Sequence, residues 1–191
     1  MSYEPKRNMS SPWGAIQHVE TIAAGIWRVC TAGHGGVKLD RARNAKVPEY
    51  MRRDGGWYEE DCDWCIPAVV LSVMDQAAAD HTFINWHPDE YAKWHLVPIE
   101  SLAGRSRCYD ERVFNEKHAD DLIVVCASGS WHERCPNGWV LVDAKVGGHR
   151  GNTPETEWRE FLVPDAEYAA RGPFGFVVDP ERHTEVTECL V

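Results

Sequence analysis

The sequence predicts an α+β domain: a mostly antiparallel sheet with several short helices. Three observations carry this. Strand-like apolar runs gather at both ends of the chain and helix signals between them, without regular βαβ alternation. The connections between the last strands are short and turn-rich, which suits hairpins better than parallel crossovers. At 191 residues and 43% hydrophobic, with no repeat, low-complexity tract or clear linker, the chain can bury one core unaided. A single globular domain over 13–183 follows, between a flexible arm at 1–12 and an acidic tail at 184–191.

The elements follow in order. Ala15–Ala23 and Ile26–Thr31, separated by Ala24-Gly25, read as a β-hairpin. Gly33-His34-Gly35-Gly36 is expected to turn the chain, its glycines supplying positive φ, into a short strand Val37-Lys38-Leu39. Asp40 is placed to cap a helix over Arg41–Lys46, and Pro48 to open a second over Glu49–Arg53, stopped by Asp54-Gly55-Gly56. Ile66–Met74 is apolar enough for a buried helix or a buried strand, and the alanines of 75–80 favour helix. Pro88 with Asp89-Glu90 opens a helix to about His95. Residues 100–120 are charged and irregular.

Leu122–Ala127, Trp139–Val142, Trp158–Val163 and Phe174–Val178 read as four strands of one sheet. Gly129–Gly138 forms a hairpin loop, Gly147–Asn152 with His149 and Arg150 a long flexible turn, and Pro164–Arg171 a compact helix stopped by Gly172-Pro173. The connection 164–173 is the one place where a parallel pair could arise. The nine tryptophans are expected mostly in the core.

Composition narrows the function classes. No apolar run approaches the ~18–20 residues of a membrane span, and no apolar segment follows the N-terminal charges, so a soluble cytoplasmic protein is expected. Seven irregularly spaced cysteines then imply reduced thiols, with Cys30, Cys65 and Cys126 expected buried beside apolar sequence. Thirty acids against twenty bases give a net charge of −10, which disfavours direct binding of nucleic acid and favours a basic partner surface. Residues 38–53 carry a net +4 and residues 54–63 a net −5. The two blocks can neutralise each other across a turn, or the second can be presented outward.

Residues 33–65 are the most distinctive stretch. Paired glycines are costly to order and clustered carboxylates repel, so such a segment suggests a working face. Gly25-Ile26-Trp27, Gly33-His34-Gly35-Gly36, Arg43-Asn44, Pro48, Tyr50 and Gly56-Trp57-Tyr58-Glu59-Glu60-Asp61, with the later run Tyr168–Val177, resemble an uncharacterised family of small bacterial proteins. Members of that family occur on plasmids, phages and other mobile elements. The resemblance spans roughly 13–183, implies no activity and carries over no catalytic residue. It implies a mobile-element habitat, where small acidic proteins often disable host restriction or CRISPR machinery.

Several chemistries compete. Cys62-Asp63-Trp64-Cys65 and His132-Glu133-Arg134-Cys135 share a two-residue spacing that could supply four zinc ligands, although the pairs lie 67 residues apart and free thiols are the simpler reading. Thr31, Ser128, Ser130 or a cysteine could act beside His34, with the amides of Gly35 and Gly36 shaping an anion hole, but no Gly-x-Ser-x-Gly is present. Glu59, Glu60, Asp61 and Asp63 could hold Mg²⁺, though adjacent acids usually face solvent. Walker and dinucleotide-binding spacings are absent.

The reading chosen is a non-enzymatic inhibitor of a host defence complex, CRISPR or restriction, with no cofactor and no catalytic residue. Asp54, Glu59, Glu60, Asp61 and Asp63 would mimic DNA phosphates before a basic nucleic-acid groove, with Trp57 and Tyr58 as anchors and His34 beside them. The alternative is a zinc-dependent or metal-assisted hydrolase using the cysteine, histidine and acidic residues.

Overall fold

A computed structural model of the chain describes residues 4–148 and 158–186. It is α+β, and every strand pair among the described residues is antiparallel. The chain divides into two compact units, Met1–Asp110 and Glu111–Val191.

The first unit opens with a small ribbon, β1 (Ser10–Ser11) against β2 (Gly14–Ala15). The expected loose arm is therefore folded from Asn8 onward. Asn8 N–H donates to Ile16 C=O at 2.8 Å, and Ile16 is buried. Next come β3 (His18–Ala23), β4 (Ile26–Cys30), β5 (Gly35–Leu39) and β6 (Trp57–Glu59), a sheet in sequence order. Pleating sends Ile26, Val37 and Leu39 to one face and Trp27 and Val29 to the other. The second face is covered by Ile16, with Met9, Val19 and Trp57 alongside.

The first face is covered by helices. α1 (Arg41–Asn44) starts where expected, because the Asp40 carboxylate accepts from Arg43 N–H at 2.7 Å. Short 3₁₀ turns at Glu49–Met51 and Asp54–Gly56 lead into β6, and Gly55 and Gly56 take φ of +61° and +71° there. The 66–74 stretch resolves as a helix, α2 (Cys65–Leu71), followed by α3 (Gln76–Trp86), capped by Asp75, and α4 (Pro88–His95), with its proline in the first turn. Val47, Met51, Tyr58, Ile66, Phe83, Tyr91 and Leu102 complete this core. α5 (Arg107–Lys117) occupies part of the stretch expected to be irregular.

The second unit holds β7 (Leu122–Ser128), β8 (Trp139–Val146), β9 (Arg159–Pro164), β10 (Val177–Val178) and β11 (Thr184–Glu185), in the order β10-β7-β8-β9-β11. The four expected strands do share one sheet. Leu122, Val140, Val142, Phe161, Val163, Phe176 and Val178 form its core. α6 (Asp165–Ala169) fills the 164–173 connection, and β10 then joins β7 antiparallel, so no parallel pair arises. Thr184 and Glu185 of the expected tail pair with Leu162 and Phe161. His149 and Arg150 of the glycine-rich turn, and the last five tail residues, lie outside the described residues.

Two expectations about side chains are corrected. Of the nine tryptophans only Trp27 is buried; Trp86, Trp94, Trp131, Trp139 and Trp158 are exposed, each in a loop or near the end of an element. Cys65 is buried as expected, but Cys30 is only half-buried and Cys126 is exposed. A register shift between Val124 and Cys126 pairs Cys126 with Asp143 and turns it away from the core face that Leu122 and Val124 share.

Candidate functional site

The site grows from the glycine pair. Thr31 N–H and Thr31 hydroxyl both donate to His34 C=O, at 2.8 and 2.7 Å, closing a tight turn that presents His34 to solvent. Gly35 and Gly36 are not in that turn, and neither has positive φ. They are central strand residues whose missing Cβ atoms leave room for neighbours. A Cβ on Gly35 would lie 2.5 Å from Glu60 Oε2, and one on Gly36 would strike Tyr58 C=O and the Trp13 indole. Close approach, rather than turning, is what this pair provides.

β6 and the turn after it supply the acids. Glu59 Oε2 accepts from Asp61 N–H at 2.7 Å, Cys62 N–H at 3.0 Å and the Cys62 thiol at 3.4 Å, so this carboxylate folds the acidic turn about itself. Its Oε1 is enclosed, without a hydrogen bond, 3.2 Å from His34 Nδ1. Burial acts to raise the Glu59 pKa, but the Cys62 and Asp61 N–H groups, the thiol and His34 outweigh it and hold the carboxyl below its usual range. His34 Nδ1 also lies 3.6 Å from Glu60 Oε1. The Gly-His-Gly-Gly and Trp-Tyr-Glu-Glu-Asp segments, 20 residues apart in sequence, thus meet at one point. A cavity of about 200 Å³ opens beside Glu60, lined by Arg28, Gly36, Val37, Trp64 and Met74.

A second cluster adjoins the same turn. Arg53 Nε donates to Asp63 Oδ1 at 2.8 Å, and Arg53 Nη2 lies 3.9 Å from Glu90 Oε1. His87 Nε2 stands 3.4 Å from Asp63 Oδ1 and 3.2 Å from Cys62 C=O. Ligand atoms of Cys62, Asp63 and His87 fall within 4.8 Å of one another, as do those of His34, Glu59 and Glu60. Burial first, then Asp63, pushes the Cys62 thiol up to about 11; burial and Asp63 likewise push Cys65 up to about 12. The Cys65 thiol donates to Cys62 C=O at 2.9 Å.

The expected site residues therefore divide. Asp54, Glu60, Asp61 and His34 are exposed. Trp57 is half-buried, edge-on to Trp13 at 5.7 Å between centroids, with Lys38 Nζ 4.8 Å from its ring. Glu59 holds the turn and Asp63 is spent on Arg53, so neither is a free acid. Tyr58 is no surface anchor: it is wholly buried and its hydroxyl donates to Asn44 Oδ1 at 2.7 Å. The pleat accounts for this, because in the three-residue strand the half-buried Trp57 and Glu59 lie on one face and the middle side chain on the other, toward the helix-covered core.

Among the nucleophile candidates, Thr31 is committed to the His34 turn, while Ser128 and Ser130 belong to the second unit. Of the four cysteine and histidine residues considered for zinc, Cys62 and Cys65 are in the first unit and His132 and Cys135 in the second, where the Cys135 thiol donates to Trp139 C=O at 3.1 Å. His87 was not singled out by sequence, and Asn44, Arg53 and Glu90 were named there only in a family motif or in helices, not as parts of a site. Asn44 and Arg53 lie in the basic block and helix around it, whereas His87 carries no spacing signal beyond its place before Pro88.

The first unit is thus a small four-stranded antiparallel sheet under helices, with a His/Glu and a Cys/Asp/His cluster on one turn. Residues 6–119 match the family model of the domain of unknown function DUF7007, and the chain belongs to that family. No curated protein and no solved structure matches the chain. Among the described residues no helix is long and apolar enough to cross a membrane.

Proposed function

We propose that the chain is a non-enzymatic binding protein that engages the basic nucleic-acid groove of a host defence complex, CRISPR or restriction, through an acidic face. The observation that carries this reading is that Asp54, Glu60 and Asp61 are exposed, and among the described residues none is paired with a lysine or arginine. The adjacent guanidinium groups are directed elsewhere: Arg53 to Asp63 and Glu90, Arg43 Nε to Ala24 C=O, and Arg52 to Val47 C=O. Carboxylates held on a hydrogen-bonded turn can occupy sites that otherwise neutralise phosphates, displacing DNA by mass action. The mobile-element habitat implied by the sequence motifs supports the choice of partner. The raised thiols of Cys62 and Cys65 are protonated at neutral pH, which argues against a cysteine nucleophile. The metal-assisted hydrolase reading draws support from one observation, the convergence of Cys62, Asp63 and His87.

The test is a protection assay. Phage plating and plasmid transformation are measured in hosts with an active CRISPR or restriction system, with and without the chain. Protection by the wild type, lost in an Asp54→Lys/Glu60→Lys/Asp61→Lys variant whose melting temperature is unchanged, is the expected result, since exposed charges contribute little to stability. Protection that survives the triple reversal at equal folded level would refute the acidic-face reading.

A further inference from the structure

The Cys62–Asp63–His87 cluster joins two separate pieces of chain and combines a thiol, a carboxylate and an imidazole. Cys62 and Asp63 sit on the turn between β6 and α2, and His87 at the junction of α3 and α4. All three side chains are at least partly withdrawn from solvent; His87 is 11% exposed and Asp63 20%. Sulfur and imidazole donors select borderline-soft divalent ions over Mg²⁺ or Ca²⁺.

We propose that Cys62 Sγ, the Asp63 carboxylate and the His87 imidazole bind one zinc-class divalent ion, with water completing the tetrahedron. The geometry is near what such an ion needs. Ligands on one tetrahedral zinc stand about 3.3–3.8 Å apart, from metal–ligand lengths of ~2.0–2.3 Å. The three donor atoms already lie within 4.8 Å of one another, so side-chain rotations of about an ångström close the site. Neighbouring carboxylates and N–H groups fix the turn: Glu59 Oε2 holds both the N–H and the thiol of Cys62.

Charge balance favours the ion. Asp63 and Glu90 face a single guanidinium, Arg53, which now serves Asp63 and lies 3.9 Å from Glu90. Glu59, whose Oε2 accepts from the Cys62 thiol, adds a third carboxylate, so three carboxylates surround the cluster against one guanidinium. A divalent ion that binds with release of the Cys62 proton to solvent offsets part of this negative charge, while Arg53 keeps Glu90 as its partner. The site differs from the four-residue zinc arrangement suggested by sequence spacing, since Asp63 and His87 stand where His132 and Cys135 were expected. It is independent of whether Asp54, Glu60 and Asp61 bind a partner.

The test uses the tag-free full chain, stripped with chelator and titrated with Zn²⁺ and with Co²⁺. One equivalent of either ion should bind with release of a proton. The cobalt form should show a thiolate charge-transfer band with the strong visible absorption of a tetrahedral centre. Cys62→Ser should abolish that band, and His87→Gln should weaken binding by more than the ~10–100-fold that loss of an outer partner costs. Cys135→Ser should leave both unchanged. Absence of stoichiometric binding, or a charge-transfer band that persists in Cys62→Ser, would overturn the proposal. Should either variant fail to fold, alkylation of the wild type followed by peptide mass analysis decides: zinc must protect Cys62, and an unchanged labelling rate there refutes the site.

Discussion

Tyr58 and Glu59 are adjacent in a three-residue strand, and the strand pleat gives them opposite tasks. Read along the sequence, an aromatic pair beside four acids looks like a binding hot spot; residue type was legible there, but facing direction was not, because a strand that short has no visible period. Tyr58→Phe should lower stability by about 0.5–1.5 kcal/mol through loss of the Asn44 hydrogen bond, measured by denaturant unfolding, and leave partner binding untouched. Glu59 and Glu60 should separate in the same way. Glu59→Lys removes the acceptor for two N–H groups and should cost about 1–3 kcal/mol, whereas Glu60→Lys should cost almost nothing. Their pH behaviour follows from sign. The Glu59 pKa is lowered in the folded chain, so the stability it adds is present above the usual carboxylate range and lost as pH falls through the lowered value. Asp143 behaves oppositely. Burial and then Glu160 raise it, against Arg134, Cys126 and His132, so its ionisation erodes stability as pH rises from the ordinary range through the raised value. Asp143→Asn should accordingly raise the melting temperature at pH 7 and leave it little changed at pH 3.

Helices with a capping residue or an opening proline were readable from sequence: Asp40 and Pro88 each mark a start that the structure keeps, whereas the cap at Asp75, which begins a separate helix, was not singled out. α5 was not, because its eleven residues present no buried position and so no apolar stripe to detect. The β5 glycines were misassigned for a different reason. A glycine pair is the usual sign of a turn, and only the packing shows that Gly36 lies under Tyr58 C=O and Trp13. Gly36→Ala should therefore cost at least the ~1–3 kcal/mol of an overpacked core, since backbone cannot move aside as a side-chain tip can. The bulge in β7 was equally hidden, as an uninterrupted apolar run gives no hint of a register shift. Its effect can be measured with a thiol reagent on the native protein: Cys126 should react first and Cys65 and Cys135 last, and equal rates would contradict the observed burial.

Each compact unit has its own core, and the family match at 6–119 covers the first of them and reaches just past the end of α5. A fragment ending at Ala119 should unfold cooperatively, followed by its tryptophan fluorescence; a fragment without a transition would show that the first core is insufficient. The sequence made the strand content and antiparallel pairing of both sheets legible through turn chemistry. It did not disclose the division, because the chain crosses it inside α5 with no proline, glycine run or change of composition to mark a linker. The second sheet has one more consequence. Its outer strands are only two residues long: Val177 and Val178 pair with Ile123 and Leu122, Phe176 C=O accepts from Val124 N–H, and Thr184 and Glu185 pair with Leu162 and Phe161. The β10 bonds blunt the open margin of an apolar run in β7, Leu-Ile-Val-Val, that is well suited to recruit further strands, while β11 covers β9 at the opposite edge. A chain clipped before Phe176 would lose that guard and offer the run as a template, so C-terminal proteolysis should convert a dispersed protein into one that polymerises.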